Sequence, residues 1–157
     1  MTGMVGNGAA TIPLTALAVA NCVSGPRSVS DWIVEMFRPF VPTLEELPGF
    51  HRFYLRELVQ PGADCMYVSL SFWEGVEHFE AWRQSDRFVT AHATAEGDRA
   101  RFARLNGAKR YDFPAARPDA PGDLDAAILA RIGADYARVD TAGAQFRDVI
   151  TASAGPA

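Results

Sequence analysis

The chain has 157 residues, of which 48% are apolar and 22% are charged, a composition typical of one globular domain. Its net charge of −4 provides no basic stripe to neutralise phosphates, which argues against a nucleic-acid-binding protein. No segment approaches the run of about 20 apolar residues that a membrane span needs. Cys22 and Cys65 are too few for a zinc site, so we expect buried reduced thiols and, from them, a cytoplasmic location.

The first third of the chain predicts a strand followed by a helix. Residues 1–12 are rich in glycine and lack periodicity, which predicts a flexible N-terminal tail. Residues 14–23 are apolar on both faces and predict a buried strand. A helix is expected to begin near Ser30, and its apolar positions have the spacing of one helix face: Val29, Ile33, Met36, Phe37, Phe40 and Leu44. Pro39 and Pro42 should divide this helix.

The middle of the chain predicts a hairpin, a second helix and a last strand. Side chains alternate along 50–59, the turn Pro61-Gly62 follows, and 65–73 is a second strand-like run. A helix is expected at about 75–85, and a short helical piece at 87–92 should follow a break at Ser85-Asp86. Residues 108–113 predict a short final strand.

This order of elements, β-α-β-β-α-β, predicts an α+β fold of the ferredoxin-like type over residues 13–113. Such a sheet has helices on one face only, so two copies are expected to pack their bare faces together as a homodimer. Residues 114–157 should add a linker and a helical extension, with a helix N-cap at Asp123 and an apolar stripe: Leu124, Ile128, Leu129, Ile132, Tyr136 and Val139. We expect 151–157 to be disordered.

Three kinds of side chain are candidates for chemistry. His51 and His78 fit solvated or structural positions, whereas His92 follows a helix break among small residues, where a flat ligand has room to reach an imidazole. Trp82 lies ten residues before His92 and fits either a core position or one wall of the same cavity. Asn21 interrupts an apolar strand face, where a buried amide needs a hydrogen-bonding partner, either in the protein or in a ligand.

The stretch YVSLSFWEGVEHFEAWRQSDRFVTAH, residues 67–92, resembles the antibiotic-biosynthesis monooxygenase superfamily, and Pro48-Gly49-Phe50 agrees with it. Within that superfamily, five residues are similar to the pattern of the IsdG-type haem-degrading monooxygenases: Asn21, Trp82, Ser85, Phe88 and His92. The resemblance covers about 14–113. It implies a dimeric α/β-barrel built from two ferredoxin-like units.

The resemblance also implies roles for these residues. His92 would be the proximal ligand of haem iron, and Asn21 would donate a hydrogen bond on the opposite side to oxygen bound at the iron. Trp82 would press the porphyrin out of plane, and Phe88 would line the haem site. Haem would be both cofactor and substrate, O2 the oxidant, and an unidentified external reductant the source of electrons. The products would be free iron and a ring-opened tetrapyrrole.

Two other functions stay open at this level. A cofactor-independent monooxygenase acting on a polycyclic phenol or anthrone would use Trp82 and Asn21 to position substrate and O2, with His92 as a bystander or base. A non-catalytic haem-binding protein would have the pocket without turnover. Two features depart from the family pattern: Pro39 and Pro42 would change one wall of the pocket, and the extension at 114–157 makes the chain longer than usual. The extension also leaves room for a related protein that binds haem but oxidises another substrate.

Overall fold

The computed structural model describes residues 15–39, 41–86, 99–106 and 108–154. Its strands are β1 (Ala16–Pro26), β2 (Phe50–Val59), β3 (Asp64–Trp73), β4 (Ala108–Ala116) and β5 (Gln145–Ser153). Its main helices are α1 (Ser30–Phe37), α2 (Val76–Arg83) and α3 (Asp125–Asp135), with one further helical turn at Arg99–Phe102. The strands form one antiparallel sheet in the order β4-β1-β3-β2-β5. The predicted ferredoxin-like α+β fold is therefore confirmed.

Most of these elements lie where the local sequence pattern predicted them. The predicted strand at 50–59 coincides with β2, and the hairpin to β3 is present. The two prolines divide the first helix as expected, because α1 ends at Phe37 and a separate 3-10 helix covers Val41–Glu46. Phe40, the tail at 1–12 and the helical piece predicted at 87–92 lie outside the described residues.

The C-terminal extension differs from its prediction in two ways. Thr151–Ser153, which we expected to be disordered, ends a fifth strand that pairs along the outer edge of β2. The sequence of β5 lacks a clear apolar alternation because most of its side chains are exposed, so pairing with β2 decides its conformation. The predicted cap is also wrong: Leu124 is the N-cap of α3, and Asp123 lies in the preceding 3-10 turn.

One side of the sheet is covered by α1, the 3-10 helix and α2, and we call it the helix-side face. On β1, β2 and β3 this face consists mainly of odd-numbered positions, because side chains alternate along a strand. On β4 it consists of even-numbered positions, because Arg110 is paired with Asn21. Its buried strand residues are Val19, Val23, Phe50, Phe53, Leu55, Cys65, Tyr67 and Trp73. Phe50 is the even-numbered exception on β2, and it precedes a register shift in the pairing with β3. The helices contribute Val29, Ile33, Val41, Leu44, Phe79 and Trp82.

The opposite side, which we call the extension-side face, is covered by the C-terminal extension of the same chain. Its buried strand residues include Ala18, Ala20, Cys22, Tyr54, Leu58, Met66, Val68, Leu70 and Phe72. Ile128 and Ile132 of α3, with Tyr136 and Val139 beyond it, pack against them and are at most 7% exposed. The homodimer stays a prediction, but the bare sheet face from which it was inferred is filled here by the chain itself.

Polar contacts fix the extension to the sheet. Arg56 of β2 is 7% exposed and pairs with Asp125 at 2.6 Å and Asp148 at 2.9 Å, so one buried guanidinium holds both α3 and β5. Arg138 pairs at 3.0 Å with the buried Asp64 at the start of β3. Since a buried charge without a partner is costly, these pairs favour one placement of the extension.

Gly49, before β2, occupies a conformation that other residues rarely adopt. Its φ is +77°, and a Cβ atom at this position would stand 2.3 Å from Cγ of His78. We therefore expect Gly49→Ala to lower the free energy of unfolding by about 1–3 kcal/mol, because backbone strain and steric overlap act together. Urea unfolding monitored by tryptophan fluorescence measures this change.

Gly122→Ala is the matched control. A Cβ at Gly122 would meet only Oδ2 of Asp125, at 4.0 Å, and its φ is not in the left-handed region. This variant should unfold within about 0.5 kcal/mol of the parent. Equal losses in the two variants would contradict the special role of Gly49.

Candidate functional site

Asn21 lies on the helix-side face, between two buried valines. Val19 and Val23 are its neighbours on that face, and both belong to the core beneath the helices. The amide residue itself is only half-buried. In the sheet register, Asn21 stands opposite Ser69 of β3 and Arg110 of β4. The predicted polar interruption of β1 is thus part of a short polar row that crosses three strands.

Trp82 belongs to an aromatic cluster on the same side of the sheet. Its ring is stacked against Trp73, with centroids 5.9 Å apart and an interplanar angle of 29°. Phe79 meets Trp82 edge-on at 5.9 Å and Trp73 at 5.8 Å. Trp82 is 9% exposed, and Trp73 is fully buried. Such a cluster makes a flat, rigid and apolar wall.

The structure places Asn21 and Trp82 on the same side of the sheet. Arg110 is related to both residues: it is opposite Asn21 in the strand register, and its guanidinium lies 4.6 Å from the ring centroid of Phe79, which packs against Trp82. The break after α2 is also present: Gln84 is the C-cap of α2, and the Ser85 N–H donates to the Trp82 carbonyl at 2.9 Å. Phe88 and His92 lie outside the described residues, so their roles stay predictions.

The other two histidines, His51 and His78, lie near the start of β2 and in α2, at the end of the β2–β3 hairpin that is far from its turn. His51 is half-buried near the start of β2, and burial lowers its pKa, opposed by the charge of Glu74 and reinforced by His78. His78 lies against Gly49, where it limits the space at the turn. These surroundings agree with the structural positions expected for both residues.

Both cysteines are free and buried. Burial, with a smaller contribution from Asp135, raises the pKa of the Cys22 thiol to about 12. Burial also raises the pKa of Cys65, whose Sγ–H donates to the Gly25 carbonyl at 3.3 Å. A thiol that stays protonated is a poor nucleophile and a poor metal ligand. Within the described residues, no three His, Cys, Asp or Glu side chains are grouped to hold a metal ion.

Reasoning from sequence missed three polar residues of this face: Ser69 and Ser71 of β3 and Arg110 of β4. Ser69 and Ser71 are 8% and 5% exposed, between apolar positions of a fully buried strand. The alternation YVSLSFW places both serines on one face with Trp73, and this was the available signal. Arg110 had no such signal, because its place opposite Asn21 depends on the strand register.

None of the helices in the described ranges is long and apolar enough to cross a membrane.

The helix-side face carries, beside its aromatic cluster, one amide, two hydroxyl groups and a guanidinium held by carboxylates. Such a combination suits a flat and largely apolar ligand with a small number of polar contacts.

A family model described as antibiotic biosynthesis monooxygenase matches residues 26–94, which is less than half of the chain. The matched segment includes Trp82, Phe88 and His92, whereas Asn21 lies before it. No curated protein matches the chain. The family suggests a monooxygenase-type activity. Together with the ferredoxin-like sheet, this match supports the resemblance to the antibiotic-biosynthesis monooxygenase superfamily over residues 26–94.

Proposed function

We propose that this protein binds haem on the helix-side face and cleaves it oxidatively with O2 and an external reductant, releasing iron and a ring-opened tetrapyrrole. The observation that carries the proposal is the position of Asn21. It is a half-buried amide in an apolar strand face, on the same side of the sheet as the stacked Trp82 and Trp73. An amide on the same side of the sheet as a flat aromatic cluster suits a porphyrin, which is flat and apolar with polar groups at its edge and centre.

Each residue has a role that follows from its chemistry. His92 would hold the iron through a neutral imidazole nitrogen. Asn21 has two N–H donors, of which one would stabilise negative charge that develops on oxygen. Trp82, which packs against Trp73 and Phe79, would press on the ring. Haem itself would supply the redox chemistry when bound.

Hemin titration of the purified protein tests the binding step. We expect a shifted Soret band in the parent protein and its loss in His92→Ala, because the imidazole is the proposed iron ligand. His78→Ala is the matched control, since it removes an imidazole that packs against Gly49 instead. The parent and His78→Ala should titrate alike.

Addition of ascorbate then tests turnover. With catalase present to remove free peroxide, bleaching of the bound Soret band and release of iron to a chelator would indicate degradation. A His92-dependent band that does not bleach would favour the non-catalytic haem-binding protein. Equal spectra for the parent and His92→Ala would contradict haem binding through this residue.

The second candidate is a cofactor-independent monooxygenase of the same superfamily that oxidises a polycyclic phenol or anthrone. It is favoured by one observation: the two residues it needs, Asn21 and Trp82, both lie on the helix-side face. Oxygen uptake with an anthrone, in the absence of hemin and unaffected by His92→Ala, would support this alternative.

A further inference from the structure

Arg110 makes more contacts than a solvated strand residue needs. Its Nε and Nη2 donate to the two oxygens of Asp112, at 2.8 and 3.0 Å, and its Nη1 donates to Glu80 at 3.0 Å. The flat face of the same guanidinium lies 4.6 Å from the Phe79 ring centroid. Arg110 thus joins β4 to helix α2 by one ion pair and one ring contact.

The two α2 residues that Arg110 contacts are close neighbours of Trp82 on the helix. Phe79 packs edge-on against Trp82 at 5.9 Å, and Glu80 lies two residues before it. The helix has only eight residues, which is too short to be stable without tertiary contacts. The position of Trp82 therefore depends on what holds α2 against the sheet.

Arg110 is also related to Asn21, through the pairing of their strands. The two residues are direct partners in the β1–β4 register, and directly opposed residues in an antiparallel pair have Cβ atoms about 5 Å apart. Asp112, which is opposite Val19 in the same register, orients the guanidinium from within β4. One side chain thus relates the strand that carries the amide to the helix that carries the tryptophan.

We propose that Arg110 is a positioning residue, which holds α2 and thereby fixes Trp82 relative to Asn21. Its ion pairs are partly solvent-exposed, with 31% of the Arg110 side chain accessible, so they add little to global stability. Their effect lies in geometry, because an error of about 1 Å in a reacting arrangement can lower a rate about 100-fold. The catalytic consequence rests on the proposed function, whereas the structural one does not.

The structural part is tested on the protein without haem. The stacked pair of Trp73 and Trp82 should give a coupled circular-dichroism signal, which depends on ring distance and angle. Arg110→Ala should reduce this signal while leaving Tm nearly unchanged. Arg83→Ala is the matched control, because Arg83 also pairs with Glu80, at 2.8 Å, but lies on α2 itself and makes no link to β4 through that pair.

A double variant shows whether Arg110 acts through Glu80. If it does, Glu80→Gln should reduce the signal in the parent and add little in the Arg110→Ala background. Arg110→Lys should rescue the signal in part, since an ammonium can pair with Glu80 but lacks the planar fork that also holds Asp112. The proposal would be overturned if Arg110→Ala and Arg83→Ala gave equal circular-dichroism signals. It would also be overturned if the effects of Arg110→Ala and Glu80→Gln on this signal were fully additive.

The catalytic part is tested with hemin and ascorbate. We expect Arg110→Ala to bind hemin with a Kd within about threefold of the parent, and to bleach it about 10-fold to 100-fold more slowly. A Kd that rises in proportion to the loss of rate would instead assign Arg110 to ligand binding and overturn a positioning role. If the parent binds no hemin, the proposed function fails, and the tryptophan signal alone decides about Arg110.

Discussion

Ile132→Ala is expected to lower the free energy of unfolding by about 3 kcal/mol, one of the largest effects of a single side chain in this protein. Ile132 belongs to the C-terminal extension but is fully buried against the extension-side face. Removing its outer carbons loses their burial and leaves a cavity between α3 and the sheet, which cannot fully close. Urea unfolding at equilibrium, followed by circular dichroism, measures the loss.

Val59→Ala is the matched control for this prediction. Val59 ends β2, and 55% of it is exposed, so its truncation should change stability by less than about 0.5 kcal/mol. If Ile132→Ala costs no more than Val59→Ala, then α3 does not pack on the sheet in solution. The extension-side face would in that case be open to a second copy of the chain, as the sequence first suggested.

Asn21→Ala is expected to bind hemin with nearly the parent affinity and to degrade it about 100-fold more slowly. The expected loss is that of one preorganised hydrogen-bond donor aimed at a developing negative charge, and it assumes the function proposed above. The position is half-buried and lies in the middle of β1, so a smaller side chain should fit without disturbing the strand. Bleaching of the Soret band under ascorbate gives the rate, and the preceding titration gives the affinity.

Asn106→Ala separates a catalytic loss from a loss of stability. The Asn106 amide donates to Asp64 at 3.1 Å and to Ser24 at 3.3 Å, so its removal should destabilise the protein. Asp64 lies at the opposite end of the β1–β3 pair from Trp73, so the loss of these bonds is not expected to change the rate per bound hemin. Equal slowing in Asn106→Ala and Asn21→Ala would show that the rate reports stability and not a donor at Asn21.

The features that were predictable from the sequence are those with a short period or a local cause. Alternation and the Pro-Gly turn located β2 and β3, and two prolines located the division of the first helix. Asn21 was recognisable because a single amide interrupts an apolar strand face, and the structure places it on the same side of the sheet as Trp82. Such features can be predicted from the sequence because each depends only on the residue and its immediate neighbours.

The features that were missed depend on residues far apart in the chain. The strand β5 is mostly exposed and exists because it pairs with β2, some 90 residues earlier. Arg56 looks like an exposed strand charge in the sequence, yet it is buried because Asp125 and Asp148 come to it from the extension. A local pattern contains no information about either partner.

By itself, the sequence determined the ferredoxin-like order of elements, the alternating faces of its central strands and the presence of a polar group within one of them. Only the tertiary structure decided what covers the second face of the sheet, and that Arg110 stands between Asn21 and the helix of Trp82. The physical reason is that periodicity assigns a side chain to a face, whereas strand register and packing between distant segments select its neighbours there.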